Sequence, residues 1–158
     1  MAAGGVLGNG CKVAYSVVES PATWVPIPEL IDMGIPTLVA DRVDSTVHST
    51  TSNLKKSMPG MQTVGDPWFT VVQDLNPVTS AAQAALRGYQ AAGTTISFRM
   101  EVPVTRAKDS FLGYEFEAAV ANYEPAVPIG DRQTTKFTLM FDGDSIRTDA
   151  AVGASQIT

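Results

Sequence analysis

The sequence predicts a mainly β fold, a β-sandwich or small barrel of about seven strands with one α-helix at residues 80–92. Three observations support this class. Apolar and polar residues alternate through residues 94–102, 111–121 and 134–142, with the period of half-buried strands. An alanine-rich stretch with high helix propensity precedes them. Turn residues separate the segments at the spacing typical of a sandwich or barrel.

The first quarter of the chain contains strands separated by turns. Residues 12–18 alternate and predict a strand. Residues 20–28 carry three prolines, each of which removes a ladder donor, so they predict a turn or at most an edge strand. Residues 33–36 (MGIP) predict another turn, and residues 37–44 the next strand.

Residues 45–57 form a polar stretch rich in serine and threonine. Its length is close to that at which loops are usually functional or disordered. We interpret it as a long loop, although its position between two strands also fits a protruding hairpin arm. The MPGM stretch at residues 58–61 predicts a turn.

The centre of the chain is a turn, strand, helix and strand between residues 58 and 98. Residues 68–73 are apolar on both faces, as in a strand that is covered on both sides. Ser80 and Gln83 have the spacing of a capping box, and Gly93 lies where a left-handed cap residue belongs. Gly88 costs the helix roughly 1 kcal/mol relative to alanine. We therefore expect the helix to depend on docking and to plug one edge or opening of the sheets.

The two ends of the chain differ in composition from the rest. Residues 1–10 are glycine-rich and predict a flexible arm, followed by a folded domain at residues 11–143. Residues 144–158 are small, polar and weakly patterned. They predict a C-terminal tail that is flexible or bound to a partner.

Composition restricts the classes of function. A chain of 158 residues fits one domain, and a charged fraction of only 17% indicates surface that is buried against partners. A net charge of −5 is a poor match for gripping a phosphate backbone. Cys11 is the only cysteine, which excludes an intrachain disulfide and a cysteine-based metal cluster. Without a signal-peptide pattern or an apolar stretch of about 20 residues, we expect a protein made and folded in a cytoplasm.

Residue patterns for catalysis are weak. His48 is the only histidine and lies in the polar stretch, so a Ser-His-Asp triad would have to pass through it. Glu115 and Glu117 share one strand face, where a solvated acidic surface is a better interpretation than acid–base chemistry. Asp142-Gly143-Asp144 predicts a turn because the later glutamate of a calcium loop is missing. We predict no enzyme, no cofactor and no metal site.

The order of short motifs resembles the major tail (tail tube) protein of long-tailed bacteriophages. The motifs are MPGM at residues 58–61, Gly65-Asp66-Pro67 before an aromatic strand, a helix with Ala85-Leu86-Arg87 at its core, and the strand entered from Gly93. An upstream segment, residues 24–30 (WVPIPEL), resembles the opening segment of that family. The match covers roughly residues 10–142. The type VI secretion inner tube shares the fold.

The resemblance implies a structural protein of the virion. Subunits of this family form rings, typically hexamers, that stack into a hollow tube lined by an inter-subunit β-barrel, through which genome DNA passes without specific binding. The implied partners are further copies of the chain and the tape measure, tail tip or initiator, and tail terminator proteins, with no membrane. Assembly in the host bacterial cytoplasm follows from the same resemblance.

Two groups of residues are candidates for roles in such a tube. An acidic lumen would repel DNA phosphates and let the duplex slide. The lumen-facing candidates are Asp41, Glu101, Glu115 and Glu117. The polar stretch, the N-terminal arm and the C-terminal tail are expected at contacts between rings. The ring-stacking candidates in the polar stretch are Asp44, Ser45, His48, Asn53, Lys55 and Lys56.

Two other functions fit the sequence less well. A monomeric β-sandwich that binds a receptor, such as an adhesin module, would show an exposed aromatic cluster and no self-association. A tail terminator or connector protein would form single rings but no long tubes.

Overall fold

A computed structural model describes residues 9–17, 23–46, 55–73, 81–143 and 145–157. This part of the chain contains ten strands and one helix, which confirms the predicted mainly β class. No helix in it is long and apolar enough to cross a membrane. The elements are β1 Lys12–Ser16, β2 Val25–Pro26, β3 Leu30–Gly34, β4 Leu38–Asp44, β5 Ser57–Val64, β6 Trp68–Val72, α1 Ala81–Ala92, β7 Thr95–Pro103, β8 Phe111–Ala126, β9 Thr134–Phe141 and β10 Arg147–Thr148.

The main sheet is antiparallel, with the order β2-β1-β7-β8-β9-β6-β3 and β10 paired to β8. Its two edge strands, β2 and β3, belong to one continuous segment. Within that segment Ile27 N donates to Val13 O of β1 at 2.9 Å, and Glu29 O accepts from Val72 N at the end of β6 at 2.9 Å. The four residue steps from Pro26 to Leu30 span at most about 14 Å. The sheet therefore curls until its two edges approach each other, as in a small barrel.

Apolar side chains from the alternating strands fill the space inside the curled sheet. Phe69 and Phe137 stack with ring centroids 5.2 Å apart, and Phe98 and Phe116 lie at 6.0 Å. All four rings are buried, as is Leu86 from the helix. The inward faces predicted for β7, β8 and β9 thus form one core.

Helix α1 packs against β8 through Ala82 and Leu86. Gly93 follows the helix with a φ of +66°, the left-handed conformation predicted for a cap residue. Thr94 N donates to Tyr89 O at 3.1 Å across this cap. Gly88 is exposed, and a Cβ built on it meets no atom within 4 Å.

We expect Gly88→Ala to stabilise the protein by about 1 kcal/mol, because alanine has less backbone entropy to lose and the position has free space. The matched change Gly93→Ala should destabilise it by a similar amount, since its positive φ strains any residue with a Cβ. Urea unfolding of both variants checks the pair. Effects of the same sign would contradict this account of the helix.

Strands β4 and β5 form a separate two-stranded sheet, here called the hairpin arm. Ser45 N donates to Lys56 O at 3.0 Å beyond these strands, which fits the hairpin arm given as the alternative to a long loop at residues 45–57. Residues 47–54 of that stretch lie outside the described ranges. The turn predicted at residues 58–61 is wrong, because these residues belong to β5. Pro59 is tolerated there because the ladder between β4 and β5 is irregular beside it, and a strand at a sheet edge can leave a donor unused.

Two other strands differ from the sequence prediction. Met33 and Gly34, predicted as part of a turn, end β3 opposite Phe69 and Trp68. A Cβ at Gly34 would overlap the Trp68 indole, so glycine here gives space for a large neighbour rather than a bend. Strand β8 also continues through Pro125, beyond its predicted end at residue 121.

Residues 145–157, here called the C-terminal segment, lie against β7 and β8. The sequence predicted a flexible or partner-bound tail, and the structure corrects this: the partner is the chain's own domain. Strand β9 covers only the second half of the long strand β8, and the C-terminal segment covers the first half. The segment therefore occupies a sheet edge that would otherwise be open.

Candidate subunit interface

The hairpin arm exposes apolar side chains that a single subunit leaves uncovered. All seven residues of β4 are exposed, and Met61 of β5 is 83% exposed. Alternation along β4 places Val39, Asp41 and Val43 on one face, where Val43 lies opposite Met58. The other face is more polar and carries Arg42, whose Nε donates to Ser57 Oγ at 2.9 Å. Exposed apolar surface on a strand pair with free edges is typical of an interaction site.

The ring-stacking candidates that the structure describes come together at the far end of the hairpin arm. Ser45 N donates to Lys56 O at 3.0 Å, and Thr46 N donates to Asp44 Oδ1 at 2.9 Å. The bonds from Thr46 lower the pKa of Asp44. The side chain of Lys55 is exposed beside them. His48 and Asn53 lie outside the described residues.

The four lumen-facing candidates do not form one surface. Asp41 lies on the apolar face of the hairpin arm, and Glu117 is exposed on β8. Glu115 is largely covered. Glu101 is completely buried, so the prediction that it lines a channel is wrong: the C-terminal segment covers its strand face. The acidic side chains that alternation predicted to be exposed can face a lumen only where the C-terminal segment does not cover them.

Glu101 belongs to a buried ion-pair cluster around Arg99, whose side chain is only 1% exposed. The Arg99 guanidinium donates to Glu101 Oε1 at 2.8 Å, to Glu115 Oε1 at 2.7 Å and to Asp149 Oδ2 at 2.7 Å. A second bond joins Arg99 Nη1 to Asp149 Oδ1 at 3.2 Å. A Cβ at residue 113 would overlap the guanidinium, so Gly113 makes room for it. We call Arg99, Glu101, Glu115 and Asp149 the Arg99 cluster.

The hydrogen bonds of the Arg99 cluster favour the charged forms of Arg99 and Asp149. Burial lowers the pKa of Arg99, but hydrogen bonds to Asp149 and Glu101 outweigh this, and the pKa is raised. The hydrogen bond from Arg99 holds the pKa of Asp149 below its usual value. A guanidinium fixed by carboxylates in this way is suited to holding chain segments together rather than to transferring protons. Among the described residues, no group of three His, Cys, Asp or Glu side chains is placed to hold a metal ion.

Glu101 was predicted to face a lumen, but both Glu101 and Arg99, two positions before it on β7, are buried. Their i, i+2 spacing correctly placed them on one face. The signal that was available was Glu115 on the next strand, which lies opposite Arg99, since opposite charges on adjacent strands stabilise pairing. Asp149 carried no such signal, because its segment has no period.

Acid should release the C-terminal segment before the domain unfolds. A carboxylate with a lowered folded pKa stabilises the docked state above its unfolded pKa, and this contribution is lost as the pH falls through the folded value. For Asp149 the loss therefore begins below about pH 4. We expect amide protection in residues 147–157 to fall between pH 7 and about pH 2.5, as measured by hydrogen exchange corrected for intrinsic rates.

The variant Asp149→Asn is the control for this acid effect. Its segment should already show reduced protection at pH 7 and a smaller further loss in acid. Equal acid responses in the two proteins would exclude Asp149 as the group responsible.

The curled antiparallel sheet, the helix and the hairpin among the described residues make up a fold similar to that of solved tail-tube and injection-system tube structures. In the SPP1 tail tube, the match covers 98% of this chain and 81% of the other, with 12% identity and a TM-score of 0.66. The tail of the empty gene transfer agent (GTA) particle, refined with C6 symmetry, matches over 92% of this chain and 100% of its own, with 12% identity and a TM-score of 0.65.

A third similar structure is the tube-terminating cap of the anti-feeding prophage. It matches over 93% of this chain and 92% of its own, with 11% identity and a TM-score of 0.67. No protein-family model and no curated protein sequence matches the chain. At these identities the likeness establishes the fold, as the motif order in the sequence predicted.

Proposed function

We propose that the chain is the protomer of a phage tail tube, in which rings of six subunits stack into a channel for genome DNA. The observation that carries the proposal is the hairpin arm, which exposes Val39, Val43 and Met61 on a strand pair that no other described strand joins. Such a surface is costly in a free monomer and is expected where copies pack together. The tube-subunit fold supports the same function.

The exposed strand edges support the proposal of ring formation. The outer edges of β4 and β5 are unpaired among the described residues and are available to strands of a neighbouring subunit. A head-to-tail contact of this kind closes into a ring when its rotation allows, and rings extend by stacking. In this proposal the far end of the hairpin arm, at Asp44 and Lys56, contacts the next ring. The function is assembly rather than catalysis.

The proposed location is the tail of the virion, after assembly in the host bacterial cytoplasm. The proposed partners are further copies of the chain, a tape measure protein inside the growing tube, a tail tip or initiator complex, and a tail terminator. DNA crosses the lumen without specific binding.

A tail terminator ring is the second candidate, favoured by the likeness to the anti-feeding prophage cap. The two functions differ in the product of assembly. Negative-stain electron microscopy of the concentrated protein, with and without a tail initiator, should show long tubes for the tube protomer. Single rings that never extend would favour the terminator, and a monodisperse monomer in light scattering under every salt condition would contradict both.

Charge reversal tests the acidic lumen. If Glu117 lines the channel, tubes of the variant Glu117→Lys should retain DNA at about 50 mM salt and release it by about 200 mM, because phosphate contacts weaken steeply with salt. Wild-type tubes should retain none. Filter retention of labelled DNA measures this.

Asp131→Lys makes the same charge change at an exposed turn residue and is the control. Equal DNA retention by tubes of Asp131→Lys and of Glu117→Lys would remove Glu117 from the lumen.

A further inference from the structure

The C-terminal segment docks in a groove formed by the edge of β8 and the end of β7. Backbone pairing joins Arg147 to Glu115 and Thr148 to Tyr114, and Phe111 N donates to Gly153 O at 2.7 Å. This is the addition of an extended strand to a sheet edge, the mode by which many proteins bind peptides.

Side chains make the groove selective for a particular peptide. Arg99 and Gly113 N both donate to the Asp149 carboxylate, at 2.7 and 3.0 Å to Oδ2. At the other end Glu101 accepts from Gln156 N at 2.8 Å and from Ser155 Oγ at 2.6 Å. Ile157, the last described residue, is buried. A ligand therefore needs a carboxylate, a free backbone donor and an apolar residue at fixed spacing along an extended chain.

The docked segment is held by strands other than β9, the strand that precedes it. Its hydrogen bonds reach β1, β7 and β8, and none of those described reaches β9. Asp142, which follows β9, still donates from its N to Glu117 O of β8 at 3.0 Å, whereas Arg147 pairs with Glu115. From the first contact to the second β8 moves two residues and the pairing chain moves five, so the docked segment pairs with β8 in a different register from β9.

We propose that this groove also binds the C-terminal segment of a neighbouring copy, and that subunits exchange these segments in the assembled tube. Exchange of identical elements preserves every contact of the docked state, so its cost is low. In a ring, the C-terminal segment of each neighbouring subunit is present near the groove at high effective concentration. The proposal extends the proposed tube function, but the capacity of the groove to bind the segment from another molecule can be tested without tubes.

The first experiment uses the full-length variant Asp149→Asn, in which the groove is intact and its own segment is weakened. A fluorescent peptide of residues 145–157 with the wild-type sequence is titrated and its anisotropy measured. We expect saturable binding that is at least about tenfold tighter than to the wild-type chain, whose own segment competes. A peptide with Asp149→Asn should bind at least about tenfold more weakly, because a charged hydrogen bond is lost. Equal binding of the two peptides, or no binding of either, overturns the proposal.

The second experiment traps the segment in the tube. Tyr114 lies opposite Thr148 at a non-hydrogen-bonded position of the ladder between β8 and β10. Cα atoms at such a position lie about 4.5 Å apart, which is close enough for a disulfide. The variant Tyr114→Cys with Thr148→Cys, in a Cys11→Ser background, is oxidised as free subunits and as tubes. We expect monomers on a non-reducing gel for the former and a ladder of linked subunits for the latter.

Tubes that contain only the intrachain disulfide overturn exchange and leave the tube function standing. Wild-type protein that never forms tubes contradicts the proposed function instead, and the peptide titration then decides whether the groove accepts a second copy's segment.

Discussion

Replacing Arg99 with methionine is expected to destabilise the subunit by about 3–5 kcal/mol. Methionine fills a similar volume but leaves Glu101 buried without its cation, and an unpaired buried charge is among the most costly defects in a protein. The loss should appear as a lower urea midpoint in conditions where the subunit does not assemble, measured by circular dichroism.

Arg147→Met is the matched control for this change. Arg147 belongs to the same region and lies 3.7 Å from Glu115, but its side chain is 80% exposed. Exposed ion pairs contribute about 0–1 kcal/mol, so the control should change the midpoint little. The combination of Arg99→Met with Glu101→Gln should recover part of the loss, because it removes the uncompensated charge. Similar losses for Arg99→Met and Arg147→Met would contradict the buried-charge explanation.

Placing carboxylates on the hairpin arm is expected to abolish tube formation and leave the subunit folded. In the double variant Val39→Glu with Met61→Glu, both side chains are exposed in the free subunit, so the stability change should stay within about 0.5 kcal/mol. In an assembled interface the same carboxylates lose water without a partner and carry a large penalty. Electron microscopy should show no tubes at concentrations where the wild type assembles fully.

Val39→Ile with Met61→Leu provides the control, because it keeps the surface apolar at similar volume. Its tubes should match those of the wild type. Normal tubes from the glutamate variant would place the interface elsewhere on the molecule, and unfolding of that variant would show that the hairpin arm supports its own domain.

The core residues could be predicted from the sequence because their burial follows short-range patterns of apolar and polar residues. Alternation in β7, β8 and β9 reports which side chains share a face, and the structure buries Phe98, Phe116 and Phe137 as that pattern requires. Gly93 was predictable for a similar reason, since a helix end needs a residue that accepts a positive φ. These features are set within a few residues of the chain.

The wrong predictions concern residues whose environment is set by a segment that is distant in the sequence. Pro59 and Gly60 have the chemistry of a turn, but pairing with β4 holds them in a strand. Glu101 alternates with apolar neighbours as a solvent-facing residue does, but Gln156 and Ser155 cover it from 54 or more positions away in the sequence. The residues of a polar strand face do not indicate which distant segment will pack on that face.

Fold class, the helix with its C-terminal cap and the two faces of each alternating strand are predictable from the sequence, because they follow from backbone periodicity and local steric limits. The structure was needed to show that the polar face of β7 is buried, that Arg99 holds the C-terminal segment, and that no other described strand joins the hairpin arm. Strand pairing and buried ion pairs are long-range interactions: each partner has an ordinary local sequence, and the stabilising free energy arises only when the fold brings the two partners together.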